Sequence, residues 1–505
     1  MRGEEARRYH QLTKHSYWKV RLGPYGLDWA NQPIPFKLYK GLEPIPLPRD
    51  FPRTSAPALE VVGSSPWPGP GRPNLAVLAS ILFFSAGITK RMRYPGGEIY
   101  FRAAACTGAL YHIDIYLACG DLEGLEAGVY HFGPHDFSLR QLRRGDYRGM
   151  VVEAAGHEPS LARAPVVALL ASTFWRNAWK YRARAYRHAF WDSGTILANM
   201  LSMARAHHIS AQVVVGFADD AVNHLLGLDG QREAVVALVS LGQDGPAGPP
   251  PSQVPPLHLE TVPLSRHEVH YPEIAAVHKA SSLADGRQVA AWRHGLSPLT
   301  TPEAEGRLFL LPPSPPQQGD AIEDVILRRG STRRFARRPL ALEELAAVLA
   351  CASSSVPLDV TVGEGLALNR LFLIVNAVEG IPPGAYMYRR EEHALELLKE
   401  GDFREQAGFL ALEQPLGADA SVDVFFLSPL DYVLEELGDR GYRAAQLEAG
   451  IGGGRAYLAA YALRRGATGL TFYDDEVTSF FSPRAAGTEP MFLVAVGLPA
   501  YRPRL

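Results

Sequence analysis

The chain of 505 residues is short of almost everything that would mark a specialised class. It has three cysteines, Cys106, Cys119 and Cys351, an odd number too sparse for a disulfide framework. No apolar run approaches the roughly 18–20 residues that span a bilayer, so a membrane is not an expected partner. Residues 2–8 (RGEEARR) carry no apolar stretch of the signal-peptide kind. Nor is one charge in excess: 51 Lys and Arg face 53 Asp and Glu, and nucleic acid is not an expected partner either. His207-His208 has no Asp, Glu or Cys at ligand spacing, so it reads as a surface pair and no metal site is expected. The default is then a cytoplasmic enzyme of two to three domains, because so long a chain exceeds a single core.

What the chain does have is one pattern written twice. Gly128-Val129-Tyr130, Leu139, Leu142, Gly145, Asp146 and Arg148 recur 256 residues later as Gly384-Ala385-Tyr386, Leu395, Leu398, Gly401, Asp402 and Arg404. Arg184, Tyr186, Arg187 and Gly194 match Arg440, Tyr442, Arg443 and Gly450 at the same offset. Phe217, Asp219, Asp220 and Val222 match Phe472, Asp474, Asp475 and Val477 at 255. The chain reads as two fused copies of one domain, an internal pseudo-dimer. A homodimer with sites on its twofold interface has two equivalent sites. Fusion lets one decay, so the places where the copies differ mark the chemistry.

Proline-rich stretches at 245–256 and 311–320 read as linkers. They divide the chain into a leading segment (1–69), a first copy (70–243), a linker with an insert (244–320) and a second copy (321–505). The insert core, 257–310, shows no pattern of its own. Each copy is mixed α/β, an α+β class with helices flanking a central sheet. Strands are predicted at 113–118, 235–241, 371–375 and 491–496, and helices at 193–205, 341–352 and 454–465. The run Gly450-Ile451-Gly452-Gly453-Gly454-Arg455 lacks the last Gly of a dinucleotide loop and reads as close helix packing. Asp219-Asp220 and Asp474-Asp475, present in both copies, read as caps or turns.

Two segments carry chemistry. Arg329-Gly330-Ser331-Thr332-Arg333 puts two guanidinium forks and a hydroxyl on one side of an extended run, a claw suited to phosphate. Alone, such spacing is more often a solvated basic run. Register changes the odds: aligning Leu345-Ala346 with Leu78-Ala79 sets Val62, Ser64 and Pro66 opposite Arg329, Ser331 and Arg333, so the first copy has lost both arginines. Conversely, Arg102 and the small-residue run Ala103–Ala109, with Cys106, Thr107 and Gly108, would let backbone approach a flat ligand. The second copy has Leu358 and Glu364 in place of Arg102 and Gly108. Each copy keeps the half that the other lost, so one composite site is expected.

These residues resemble the FMN-dependent nitroreductase superfamily, in particular its SagB/ThcOx-type dehydrogenases, which oxidise azoline heterocycles in peptide natural products. The resemblance is carried by Arg329-x-Ser331-x-Arg333-x-Phe335, by Arg102 with Gly108-Ala109-Leu110-Tyr111, by 180–188 (KYRARAYRH) and by 216–230 (GFADDAVNHLLGLDG). It implies two domains, each a mainly antiparallel sheet flanked by helices, with FMN at their interface. The claw would then grip flavin from one copy and the turn from the other. The family's Lys-Tyr pair falls on Lys180 and Tyr181, as base and proton relay beside the flavin that takes a hydride; without the family, Lys180 reads as part of a solvated basic helix. The second copy has Glu436-Leu437 there.

The family's Pro-Ser is Ala105-Cys106 here, so a thiol stands in for a hydroxyl. Further candidates for flavin contact are Gln414, Gly469, Leu470 and Thr471, with Arg502 and Arg504 for phosphate. Peptide or small-molecule substrates and other biosynthetic enzymes are the implied partners. An NAD(P)H-dependent nitroreductase and a non-catalytic flavin scaffold are the alternatives.

Overall fold

The computed structural model describes the chain except residues 1, 24–25, 64–68, 70, 95–96, 252, 298, 314–318 and 501–505. Each half is built on one antiparallel sheet. In the first half the strands run in the spatial order Pro44–Pro46, Ser138–Arg144, Gly128–Gly133, Ile113–Cys119, Val166–Thr173, Glu233–Leu241, Ala211–Val214. The second repeats it as Leu308–Leu310, Ala394–Glu400, Gly384–Arg389, Arg370–Val375, Val422–Ser428 and Glu489–Pro499, the last pairing with both Gly466–Gly469 and Phe335–Ala336. Even irregularities repeat: a register shift at Val129/Tyr130 returns at Ala385/Tyr386. The sheet-and-helix class expected from sequence is the one observed.

The halves meet along two long helices, Ala185–Ala206 and Asp439–Ala462. Glycine makes the crossing: a Cβ on Gly194 would stand 2.5 Å from the carbonyl carbon of Gly450, and one on Gly450 would stand 2.9 Å from the Trp191 carbonyl oxygen. The Gly450–Arg455 run thus lies inside a packed helix, as its spacing implied. A second pseudo-twofold contact joins Ala58 N–H to the Asp320 carbonyl (3.0 Å) and Ile322 N–H to the Ala56 carbonyl (2.9 Å).

Both helices start about two turns or more before the apolar pattern suggested, because arginines interrupt that pattern. Arg187, Arg440 and Arg443 are buried all the same, and ion pairs make this tolerable. Asp474 holds Arg184 (3.0 Å) and Arg187 (2.6 Å), while Asp219 holds Arg440 (2.6 Å) and Arg443 (2.6 Å). This corrects the reading of these aspartates as caps: they begin helices, but their carboxylates clamp one half to the other. The arginines hold the Asp219 carboxyl at about 2 against the opposing effect of burial, and hold Asp474 lower still.

The insert also acquires a role. Helix Pro272–Ala280 serves the second half as Glu4–Thr13 serves the first. Arg187 donates to the His10 carbonyl (2.7 Å) and Arg443 to the His278 carbonyl (2.8 Å); His15 N–H reaches Asp474 (2.8 Å) and Leu283 N–H reaches Asp219 (3.0 Å). The insert is the leading segment repeated. His207 is a smaller correction: it is half-buried with Nε2 2.9 Å from Ser80 Oγ, and only His208 is exposed. Among the described residues, no helix is long and apolar enough to cross a membrane.

Candidate functional site at the interface of the two halves

The strand Gly97–Arg102 delivers the chain to the small-residue turn. One buried carboxylate organises that turn. Asp192, on the first long helix, accepts from Cys106 Sγ (3.0 Å), from Thr107 N–H (2.9 Å) and Oγ1 (2.8 Å), and lies 2.9 Å from His112 Nε2. His112 Nδ1 is in turn 3.0 Å from Ser172 Oγ. The Cys106 thiol therefore points inward, and burial followed by the Asp192 charge pushes its pKa well above the thiol range. Arg102 also turns inward: it donates to the Pro35 carbonyl (2.6 Å) between the rings of Phe36 and Tyr111. Polar partners beneath the turn thus engage both side chains. Gly108 stands exposed at φ 62°, a left-handed conformation that favours glycine.

The claw follows helix Ile322–Arg328. Arg329 donates to the Ala103 carbonyl through Nε (2.8 Å) and to the Arg102 carbonyl through Nη2 (3.0 Å). Claw and turn, predicted to share a site, are therefore in direct contact across the interface. Thr332 is buried, its N–H bonded to the Ala467 carbonyl (2.9 Å), while Arg333 and Arg334 are both exposed. Ser331 Oγ lies 3.4 Å from Tyr457 OH, which also accepts from Gly469 N–H. Leu470 N–H is taken by the Leu493 carbonyl (3.1 Å), and Thr471 Oγ1 sits 3.3 Å from His15 Nδ1. Gln414 donates to the Ala411 carbonyl (2.8 Å) in its own helix hairpin. Arg502 and Arg504 lie outside the described residues. Val62 falls within helix Ala58–Gly63, and Ser64 and Pro66 are likewise outside the described residues.

Lys180 and Tyr181 end helix Phe174–Tyr181 beside the turn. A Cβ at Gly108 would come within 2.8 Å of Tyr181 OH, so the phenol and the turn are in contact. Tyr181 packs edge-on to His188 (centroids 4.5 Å apart) and lies under the Lys180 ammonium (5.3 Å). Burial, then Asp192, raises the Tyr181 pKa, so it stays a phenol. Lys180 is exposed, and its pKa is lowered by partial desolvation and then by the charge of Arg333 from the other half. The next residue, Arg182, has φ 51° and ψ −140°. Its counterpart Gly438 has φ 62° and ψ −160°. The first half thus holds an arginine where the second uses glycine, and such strain gathers at functional sites.

The second half-site is filled by the chain itself. Asp359, the counterpart of Ala103, is wholly buried and accepts from Val215 N–H (2.7 Å) and Gly216 N–H (3.1 Å). Those amides are the counterparts of Leu470 and Thr471. Arg293 holds the carboxylate (2.9 Å), and 293–296 runs on to pair Leu296 with Val360 and Val362 (2.8 and 2.9 Å). Glu448, the counterpart of Asp192, accepts from Ala367 N–H, Leu368 N–H and Asn369; burial raises it to about 7. Sequence reasoning missed Asp192, Tyr457 and Asp359. The recurrence of an acid at 192 and 448 was the available signal for the first.

Comparison with known proteins fits this geometry. The family model described as the nitroreductase family matches twice, over residues 85–243 and 326–497. A nitroreductase-like protein of Methanocaldococcus jannaschii is 28% identical over 169 residues, covering 34% of this chain and 80% of that one. The microcin B17-processing protein McbC of Escherichia coli is 27% identical over 159 residues, 30% of this chain and 54% of McbC. A crystal structure of a nitroreductase-like protein from Anabaena variabilis superposes with a TM-score of 0.79 at 27% identity, over 99% of this chain and 100% of the other. With one family domain matched in each half, the chain belongs to the nitroreductase family as a tandem member, and is an oxidoreductase whose intact half-site joins the turn of the first copy to the claw of the second.

Proposed function

We propose that the chain is an FMN-dependent dehydrogenase of the SagB/ThcOx type, with one flavin per chain, that oxidises a substrate such as a peptide-derived azoline. The observation that carries the proposal is the pair of bonds from Arg329 to the carbonyls of 102 and 103, which joins claw and turn into one cradle. The similarity to McbC, named as a peptide-processing protein, favours this branch. The residues suit the cofactor: Arg333 and Ser331 offer a cation and a hydroxyl for phosphate, and the exposed Gly108 presents bare backbone beside the Tyr181 phenol.

Bound FMN would supply a two-electron acceptor for hydride. The protein's part is proton handling. Lys180, with its pKa lowered toward the working range, takes the proton from the substrate carbon next to the oxidised one. Tyr181 remains protonated and donates a hydrogen bond from the wall of the turn, orienting the substrate against the base. Asp192 holds the turn rigid so that both groups keep their aim.

The test is the absorbance spectrum of gently purified protein with released flavin counted. About one FMN per chain is expected, and two or none would overturn the single composite site. Lys180→Ala should keep the flavin and lose turnover by about 100-fold or more; unchanged function would favour the scaffold reading. Rapid bleaching by NAD(P)H would favour a nitroreductase, the activity for which the Methanocaldococcus and Anabaena proteins are named.

A further inference from the structure

Among the described residues, the first half carries an element that the second lacks. In the second, helix Leu342–Ala352 reaches Leu358 through residues 353–357. In the first, helix Leu75–Ala86 reaches the matching Arg102 through residues 87–101. The added length forms an arm of two antiparallel strands, Ile88–Tyr94 and Gly97–Arg102. Among the described residues no third strand pairs with it, so both outer edges are open. The arm runs straight into the turn of the candidate site.

Strand alternation sorts its side chains. The cross-strand pairs Lys90–Phe101 and Met92–Ile99 place Lys90, Met92, Tyr94, Ile99 and Phe101 on one face. Met92 is 47%, Tyr94 52% and Ile99 42% exposed. On the opposite face Glu98 is engaged by Arg93 (2.6 Å) and Tyr100 (2.7 Å). At the root of the arm a cavity of about 210 Å³ is lined by Arg49, Lys90, Arg91, Phe83 and Phe137, the three cations all exposed. Large apolar side chains held out on so small a sheet mark an interaction surface.

We propose that this arm docks an extended, acidic and partly apolar segment of a peptide substrate, carboxylates toward Arg49 and Lys90 and apolar side chains on Met92 and Ile99. The proposal rests on the peptide-dehydrogenase reading above and names how that substrate is held. Charge selects the occupant: three cations line the root, and the arm's single acid is already engaged. Open strand edges take up extended chains by adding them as a further strand. A second copy of this chain would set Arg49, Lys90 and Arg91 against their own kind. Position supplies the purpose, since a segment held on the arm is tethered a few residues from Gly108.

The experiment uses the full chain with its flavin and fluorescence anisotropy of a labelled short peptide of alternating Glu and Leu. Saturable binding that weakens with salt is expected. Lys90→Glu, Arg49→Glu and the double change Met92→Ser with Ile99→Ser should each weaken it about tenfold or more, while flavin content and oxidation of a small untethered azoline stay unchanged. Equal binding by these variants, equal binding of a Lys-Leu peptide, or a dimer that the serine variant dissolves would overturn the arm as a peptide dock. Missing flavin, or no oxidation of the small azoline, would instead sink the dehydrogenase reading, with the peptide titration still deciding the role of the arm.

Discussion

The two half-sites are made of corresponding elements and differ in what completes them. In one, Arg329 crosses the interface and grips the backbone of the opposite turn, with Gly108 and Arg333 exposed beside it. In the other, Asp359, also from the second copy, crosses the interface and satisfies the amides of Val215 and Gly216 itself. The lesson concerns how duplicated sites decay. Left without an acceptor, the amides of Val215 and Gly216 would be costly to bury. The second copy met that demand with a carboxylate and with Arg293 from its own leading segment. The silent site is therefore plugged rather than merely eroded.

Breaking what both halves share should have the largest effect. Asp219→Ala or Asp474→Ala would strand two buried arginines each, and should cost about 3–5 kcal/mol of stability by denaturant unfolding. Acid should act on the same groups. Their folded pKa values lie below the unfolded ones, so their contribution is full above about pH 4 and is lost as pH falls; for Asp219 the loss runs on toward about pH 2. A melting temperature unchanged between pH 5 and 3 would contradict the clamp.

The next effect separates the half-sites. Arg329→Ala removes charge-assisted bonds from the intact side only, and should weaken FMN binding about 10- to 100-fold with little change in melting temperature. Asp359→Ala should do the reverse. It should leave flavin at one per chain, because the opposite claw is missing, and cost about 1–3 kcal/mol for the orphaned amides and Arg293. A second equivalent of flavin in that variant would show that the plug alone silenced the site. The smallest effect is at Arg182. Arg182→Gly copies Gly438 and should stabilise the fold by about 1 kcal/mol by releasing left-handed strain. A loss of turnover with that gain would mean the strain serves to aim Lys180.

Much of this was legible in the sequence because duplication is a statement about register. The 256-residue offset exposed the two copies and the missing turn, and a separate alignment of Leu345-Ala346 with Leu78-Ala79 exposed the missing claw. The helices were found too short where Arg187, Arg440 and Arg443 interrupt the apolar pattern, since a charged residue at a core position signals solvent unless its partner is known. The partners lie in the other copy, hundreds of residues away. The insert went unread for a similar reason: its likeness to the leading segment lies mainly in shared backbone contacts, His10 with His278 and His15 with Leu283, and a single matching histidine is too little to see in the sequence.

The sequence by itself determined that there are two copies, which family they resemble and where claw, turn and Lys180-Tyr181 stand along the chain, because motif and periodicity are properties of near neighbours. Only the tertiary structure decided that Arg102 and Cys106 turn inward, that Asp192 holds the turn and that Asp359 closes the second site. Those outcomes depend on which buried donor meets which acceptor across an interface, and that pairing is settled by packing of the two halves rather than by local sequence.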